Sequence, residues 1–166
     1  MKIVLYCPQI PQNTGNIVRT CAVTGCELYL VRPLGFSTSD RMLKRAGLDY
    51  WEGVKVHFLD DLHAFLKEAT DPVYFFSSHS STPYTTASYS NNAILIFGSE
   101  TAGLPNQYHD EWKDHFYTIP MRKFISQPSV SEEQALVRKE TRCLNLSNAV
   151  SIVVYEALRQ QQFAYE

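Results

Sequence analysis

No apolar run in this sequence approaches the roughly 20 residues that cross a bilayer, so no membrane partner is expected. Excess charge is equally scarce. Fifteen Lys and Arg stand against 17 Asp and Glu, a formal net charge of -2. That balance argues against gripping nucleic acid by bulk charge, although a local basic patch reading a folded RNA stays open. The four cysteines (Cys7, Cys21, Cys26, Cys143) form no C-x-x-C pair and no secretory leader precedes them, so free thiols in a reducing cytoplasm are expected. A strand is expected from the first residues on, so no targeting segment is expected. The five histidines make no zinc spacing with each other or with cysteine, and no metal site is expected. Glycine is sparse, with 7 residues, and never falls into G-x-G-x-x-G or a P-loop, which argues against a nucleotide-dependent oxidoreductase or a nucleoside triphosphatase. The absence of a G-x-S-x-G elbow argues against a serine hydrolase of that fold.

What is present is a 166-residue chain with 45% hydrophobic residues, enough for one globular domain over 1–166. Short apolar runs rich in strand formers fall at residues 2–7, 27–32, 54–58, 73–77, 93–97 and 116–119. Helical patterns alternate with them. One covers about 14–24 with Gly25 as its C-cap, and another covers 61–69 capped by Asp60. Ser39 caps a short basic helix whose Arg41, Lys44 and Arg45 share a face. The last helix, capped by Ser147 or Asn148, carries Val150, Val153, Val154, Ala157 and Leu158 at i, i+3, i+4, i+7 and i+8. Its β-branched residues are weak helix formers, so tertiary packing must hold it. The alternation predicts an α/β fold, a mostly parallel sheet with helices on both faces. Ligands of such sheets sit at the carboxyl ends of strands, where segments 8–16, 98–105 and 120–148 have unusual composition. Residues 122–141 are polar and resemble an insertion, with a short surface helix over 131–140.

Each of those segments supports two readings from its residues alone. Asn13-Thr14-Gly15-Asn16-Ile17-Val18-Arg19 lies at a helix N-terminus, where free amides favour an anion and Arg19 suits a phosphate or carboxylate. Equally, Asn13 is a cap and Arg19 a solvated residue. Gly98-Ser99-Glu100-Thr101-Ala102-Gly103-Leu104 follows a buried strand. Its two glycines let backbone approach a ligand, or simply make a turn. Met121 and Leu144 line an apolar pocket or fill the core.

Taken together, the three segments resemble motifs one, two and three of the SpoU–TrmD (SPOUT) RNA methyltransferases over nearly the whole chain. The stretches Ile10-Pro11-Gln12-Asn13-Thr14-Gly15-Asn16 and Asn145-Leu146-Ser147-Asn148-Ala149-Val150-Ser151 are similar to the TrmL (YibK-like) branch. That branch methylates the ribose 2′-hydroxyl of the wobble nucleotide of tRNA, a cytidine or a modified uridine. The resemblance implies S-adenosylmethionine as donor, with S-adenosylhomocysteine as product, bound in a C-terminal deep trefoil knot, and a homodimer built on the first and last helices. The site residues it implies are Asn13, Arg19, Glu100, Asn145 and Ser147 for catalysis. For the cofactor they are Ser77, Gly98, Gly103, Leu104, Ile119, Met121, Cys143, Leu144 and Asn148. Cys143 stands where relatives carry serine. The tRNA partner would present its anticodon stem-loop, whose splayed bases are readable, to Arg41, Lys44, Arg45, Arg122 and Lys123. Rival expectations are methylation of another tRNA or ribosomal RNA nucleotide, or a non-catalytic RNA-binding module of the same fold.

Overall fold

The computed structural model describes residues 1–37, 50–121 and 143–164. Its strands are β1 (Lys2–Tyr6), β2 (Glu27–Val31), β3 (Val56–Leu59), β4 (Val73–Phe76), β5 (Ile94–Phe97) and β6 (Phe116–Tyr117). Its helices are α1 (Pro11–Thr24), α2 (Leu62–Glu68), α3 (Asn106–Glu111) and α4 (Leu146–Gln160). All six expected strands are present. They form one sheet in the order β3-β2-β1-β5-β4-β6, and every pairing is parallel.

Side chains alternate between two cores because successive strand residues point to opposite faces. Ile3, Leu5, Leu28, Leu30, Leu95 and Phe97 face one core, which α1 and α4 close with Ile17, Val18, Cys21 and the stripe Val150, Val153, Val154, Ala157 and Leu158. Val4, Val73, Phe75, Ile94 and Ile96 face the other, closed by Leu62, Leu66 and Tyr108. A sheet covered on both faces explains why β5 is apolar at every position. Each fully buried Val of α4 contributes about 1.5–3 kcal/mol relative to exposure, which outweighs its weak helix propensity.

Three helix starts differ from the sequence expectation. Helix α1 begins at Pro11, three residues earlier than the pattern predicts, with Ile10 as N-cap. Two prolines suggest a loop, yet Pro11 occupies the first helical turn, where its missing N–H is not needed. Asp61, not Asp60, caps α2 by accepting from His63 N and Ala64 N. Asn145 caps α4 in place of Ser147 or Asn148. The expected Gly25 C-cap is observed in the left-handed conformation, φ 70°. The basic helix with Arg41, Lys44 and Arg45, the segment 122–141, Arg122 and Lys123 lie outside the described residues.

Two features of the sheet position the site. Strand order reverses between β1 and β5, so the loops leaving those strands diverge and open a crevice at their carboxyl ends. At the other edge, the connection leaving β4 folds around β6. Ser77 N donates to Tyr117 O on one side, while Thr118 N donates to Thr82 O and Tyr84 N to Thr118 O on the other. Neighbouring strand residues aim their backbone groups in opposite directions, so β6 lies between two limbs of one connection. The expected C-terminal knot involves segment 122–142, which lies outside the described residues.

Candidate functional site

The crevice at the reversal of strand order is filled by a chain of hydrogen bonds joining all three sequence segments. Asn13, on the first turn of α1 and 4% exposed, is its centre. Its Nδ2 donates to Glu100 Oε1 at 2.9 Å, and its Oδ1 accepts from Asn145 Nδ2 at 2.9 Å. Glu100 also accepts from Gln9 N at 2.8 Å and Ile10 N at 3.2 Å. Those two amides precede α1, at the positive end of its dipole, where a carboxylate is favoured. The Oδ1 of Asn145 accepts from Ser147 N at 2.9 Å, Ser147 Oγ at 2.7 Å and Asn148 N at 3.4 Å. Both amide atoms of buried Asn13 have partners, as a buried polar side chain requires, while Asn145 at the edge of the network is exposed.

This arrangement places Asn13, Glu100, Asn145 and Ser147 together, each hydrogen-bonded to another of the four. The Ser147 hydroxyl is spent on Asn145, and its carbonyl accepts from Ser151 Oγ at 2.9 Å. Arg19 is different. It lies exposed on α1, at a groove of about 310 Å³ shaped by Asn16, Arg19 and Val23 of α1 and Asn148, Ser151 and Tyr155 of α4. Its guanidinium sits 5.0 Å from the centre of the Tyr50 ring, a cation–π contact. Helices α1 and α4 are joined beside it by Thr20 Oγ1 and Ser151 Oγ, 3.1 Å apart. Sequence reasoning missed Tyr50 and Gln9. Nothing in the spacing of either signals a role, since one acts through its ring face and the other through its backbone amide.

The residues expected around a cofactor distribute over adjacent strand ends. Ser77, Gly98 and Ile119 follow β4, β5 and the β6 region, which are neighbours in the sheet. Gly98 has a local reason to be glycine: a Cβ there would lie 2.4 Å from the carbonyl carbon of Gly103. Ser99 and Gly103 exchange backbone hydrogen bonds at 3.1 and 3.0 Å, closing the loop on itself with Gly103 at φ 67°. Of the two readings of this segment, the tight turn is what the geometry displays, and it aims Glu100 at the crevice. Met121 and Leu144 are exposed apolar side chains at 37% and 38%. Leu104 is buried among the second core. Cys143 is an exposed free thiol, and Asn148 lies on the Arg19 groove.

With this geometry established, similarity to known proteins can be stated. Residues 1–127 match the model of the SpoU rRNA methylase family. A tRNA (cytidine(34)-2'-O)-methyltransferase of Escherichia coli K12 is 44% identical over 162 residues, covering 96% of this chain and 93% of that protein. A solved structure described as giving structural insights into the 2-OH methylation of C/U34 on tRNA superposes with a TM-score of 0.82 at 37% identity, covering 98% and 96% of the two chains. The SpoU methyltransferase AviRb from Streptomyces viridochromogenes, solved with AdoMet, shares the fold at a TM-score of 0.77 and 18% identity, covering 100% of this chain and 59% of that one. The convergence of three distant segments on one crevice and a family match over most of its length agree: the chain belongs to the SpoU methylase family.

Proposed function

We propose that this protein, as one domain over residues 1–166, transfers a methyl group from S-adenosylmethionine to the ribose 2′-hydroxyl of the wobble nucleotide of tRNA, cytidine or modified uridine. The observation that carries this reading is the Asn145–Asn13–Glu100 chain of hydrogen bonds, which fixes three strand-end segments against each other beside an exposed arginine. The name of the 44% identical relative supports the choice of nucleotide.

The residues present fit the cofactor. Backbone groups at the adjacent ends of β4, β5 and β6, with exposed Met121 and Leu144 nearby in sequence to those ends and to α4, suit an adenosyl group held by main chain and apolar contacts. When bound, S-adenosylmethionine supplies a methyl carbon made electrophilic by its sulfonium. Ser77, Gly98, Ile119 and Cys143 would hold it through backbone, so a thiol in place of the hydroxyl at Cys143 leaves the site intact. Gly103 shapes the loop, and Asn148 orients the start of α4.

The protein's task is alignment of the ribose hydroxyl with that carbon, which supplies several kcal/mol. Arginine is not a base in proteins. Arg19 therefore holds a neighbouring phosphate or stabilises the developing alkoxide charge, and the proton leaves through phosphate or water. Asn13, Glu100, Asn145 and Ser147 keep the segments in register. A homodimer belongs to this reading: Val23, Ile152 and Tyr155 leave α1 and α4 with exposed apolar side chains of 58%, 37% and 47% around Arg19. A second copy seated there would bring each Arg19 toward the partner's cofactor. The knot, the cytoplasm as the setting and the anticodon stem-loop as the bound element belong to the same reading.

Incubation with labelled S-adenosylmethionine and total tRNA, followed by mass-spectrometric mapping, tests it. Label on the wobble ribose is the expected result. Label on another nucleotide, on ribosomal RNA only, or on none overturns it.

A further inference from the structure

On the far side of β6 from the crevice lies a feature the methyl-transfer reading does not use. The connection that wraps β6 stands off from α3 and the 3-10 turn Lys113–His115, leaving a polar cleft of about 400 Å³. His79, Ser81 and Thr82 form one wall, and His109, Lys113 and Asp114 the other. The floor is Phe116, on which the His109 ring stacks with centroids 4.0 Å apart. That contact fixes the plane of His109. The wall opposite is equally determined: Ser80 Oγ donates to Phe116 O at 2.8 Å, and His79 N donates to Ser77 Oγ at 3.2 Å.

Two imidazoles and an ammonium facing one cleft, with a single carboxylate on its rim, supply donors suited to an anion. Burial, then the neighbouring His79, push the His109 imidazole below its ordinary pKa, while Asp110 beside it acts the other way. Asp114 is the acidic side chain on the rim. His115 turns elsewhere, its Nδ1 at 3.1 Å from Val73 O. The cleft is roomier than a single phosphate needs, and the hydroxyls of Ser81 and Thr82 suit a ribose–phosphate backbone.

We propose that this cleft binds a phosphodiester of the RNA substrate, with His79, His109 and Lys113 as donors. The proposal rests on the reading of the protein as an RNA methyltransferase. His79 lies two residues from Ser77, so the strand held here runs beside the loops expected to hold the methyl donor. Anion binding favours the protonated imidazoles, so RNA affinity rises as pH falls through the histidine range and is lowest above it.

The test is fluorescence anisotropy of a labelled anticodon stem-loop RNA against the full-length protein, at constant ionic strength, near pH 6 and near pH 8.5. Wild type should bind more tightly at the lower pH. His79→Gln, at an exposed position, should weaken binding several-fold near pH 6 and by less than about twofold near pH 8.5. His109→Gln should act in the same direction. Lys113→Gln should weaken binding at both values and reduce the salt slope by about one. S-adenosylmethionine affinity should not move in any of the three, nor should the melting temperature of His79→Gln and Lys113→Gln. An unchanged pH dependence in His79→Gln, or an unchanged salt slope in Lys113→Gln, overturns the site. Methyl transfer by wild type tests the underlying reading separately. An inactive wild type whose RNA binding still loses its pH dependence in His79→Gln keeps the site and sinks that reading; an active one unaffected by the substitution does the reverse.

Discussion

The Asn13 network and the Arg19 groove lie on the same helix, within two turns of each other, and are built on opposite principles. In the network each polar atom already has a partner inside the protein. In the groove the guanidinium lies exposed over a tyrosine ring with its donors available. A saturated network centred on a buried asparagine is suited to holding geometry, whereas an exposed fork of donors is suited to meeting a phosphate or a developing negative charge. Family motifs alone group these residues as one catalytic set; the geometry separates partnered side chains from an exposed one, which under the proposed function hold and act respectively.

The largest expected effect tests the acting part. Arg19→Ala should lower methyl transfer by about 10²–10³-fold, the usual cost of removing one transition-state donor. Cofactor affinity by calorimetry should stay within a few-fold, and melting should not change. Arg19→Lys should restore little, because a single ammonium does not reproduce the planar fork. If cofactor affinity fell in proportion to turnover, Arg19 would belong with the holding residues.

Much of the fold was legible in the sequence, for a specific reason. Strands such as Ile94–Phe97 are buried on both faces, so each reads as a short uninterrupted apolar run bounded by turn residues. The α4 stripe was equally plain, and all five of its named residues are buried. Helix starts were the weak point, because several short polar residues stand in a row and each can cap. Ser147, Asn148 and Asn145 compete on equal terms by residue type. Only the crevice decides, since Asn145 alone also reaches Asn13. The site's membership was legible through family motifs, but the division of labour was not. Which atoms are spent and which are free depends on contacts spanning 87 and 132 residues of sequence.

A middle-sized effect sharpens the same division. Asn145 both caps α4 and bridges to Asn13, and Asn145→Ser separates the roles. Serine still accepts from the first-turn amides, but it is too short to donate to Asn13. The buried Asn13 Oδ1 is then left without that donor, at a cost of about 1–3 kcal/mol. Thermal unfolding should report that loss, with turnover falling in step. The control is Asp61→Ala, which removes only a cap of α2 and should cost about 0.5–2 kcal/mol without altering turnover of the folded enzyme. Asn145→Ser retaining both full stability and full turnover would show that the bridge to Asn13 holds nothing.

The smallest effect comes from the opposite end of the sheet, at an ion pair away from the crevice. Lys2 Nζ lies 2.6 Å from Asp71 Oδ2, tying the start of β1 to the turn before β4, and Asn92 Nδ2 donates to Asp71 Oδ1. The hydrogen bond from Lys2, followed by that from Asn92, holds the Asp71 carboxyl below its ordinary range. A carboxyl lowered in the folded state stabilises above its unfolded pKa, and that contribution is lost as pH falls through the folded value. Lys2→Ala should therefore lower the melting temperature slightly near neutrality, where the contribution is fully present, with the difference shrinking as pH falls below about 4; the effect is small because the pair is open to solvent. Methyl transfer should be unaffected. A loss of turnover in Lys2→Ala would mean that order at the carboxyl ends of the strands depends on the amino ends, and that the Asn13 network does not hold the site by itself.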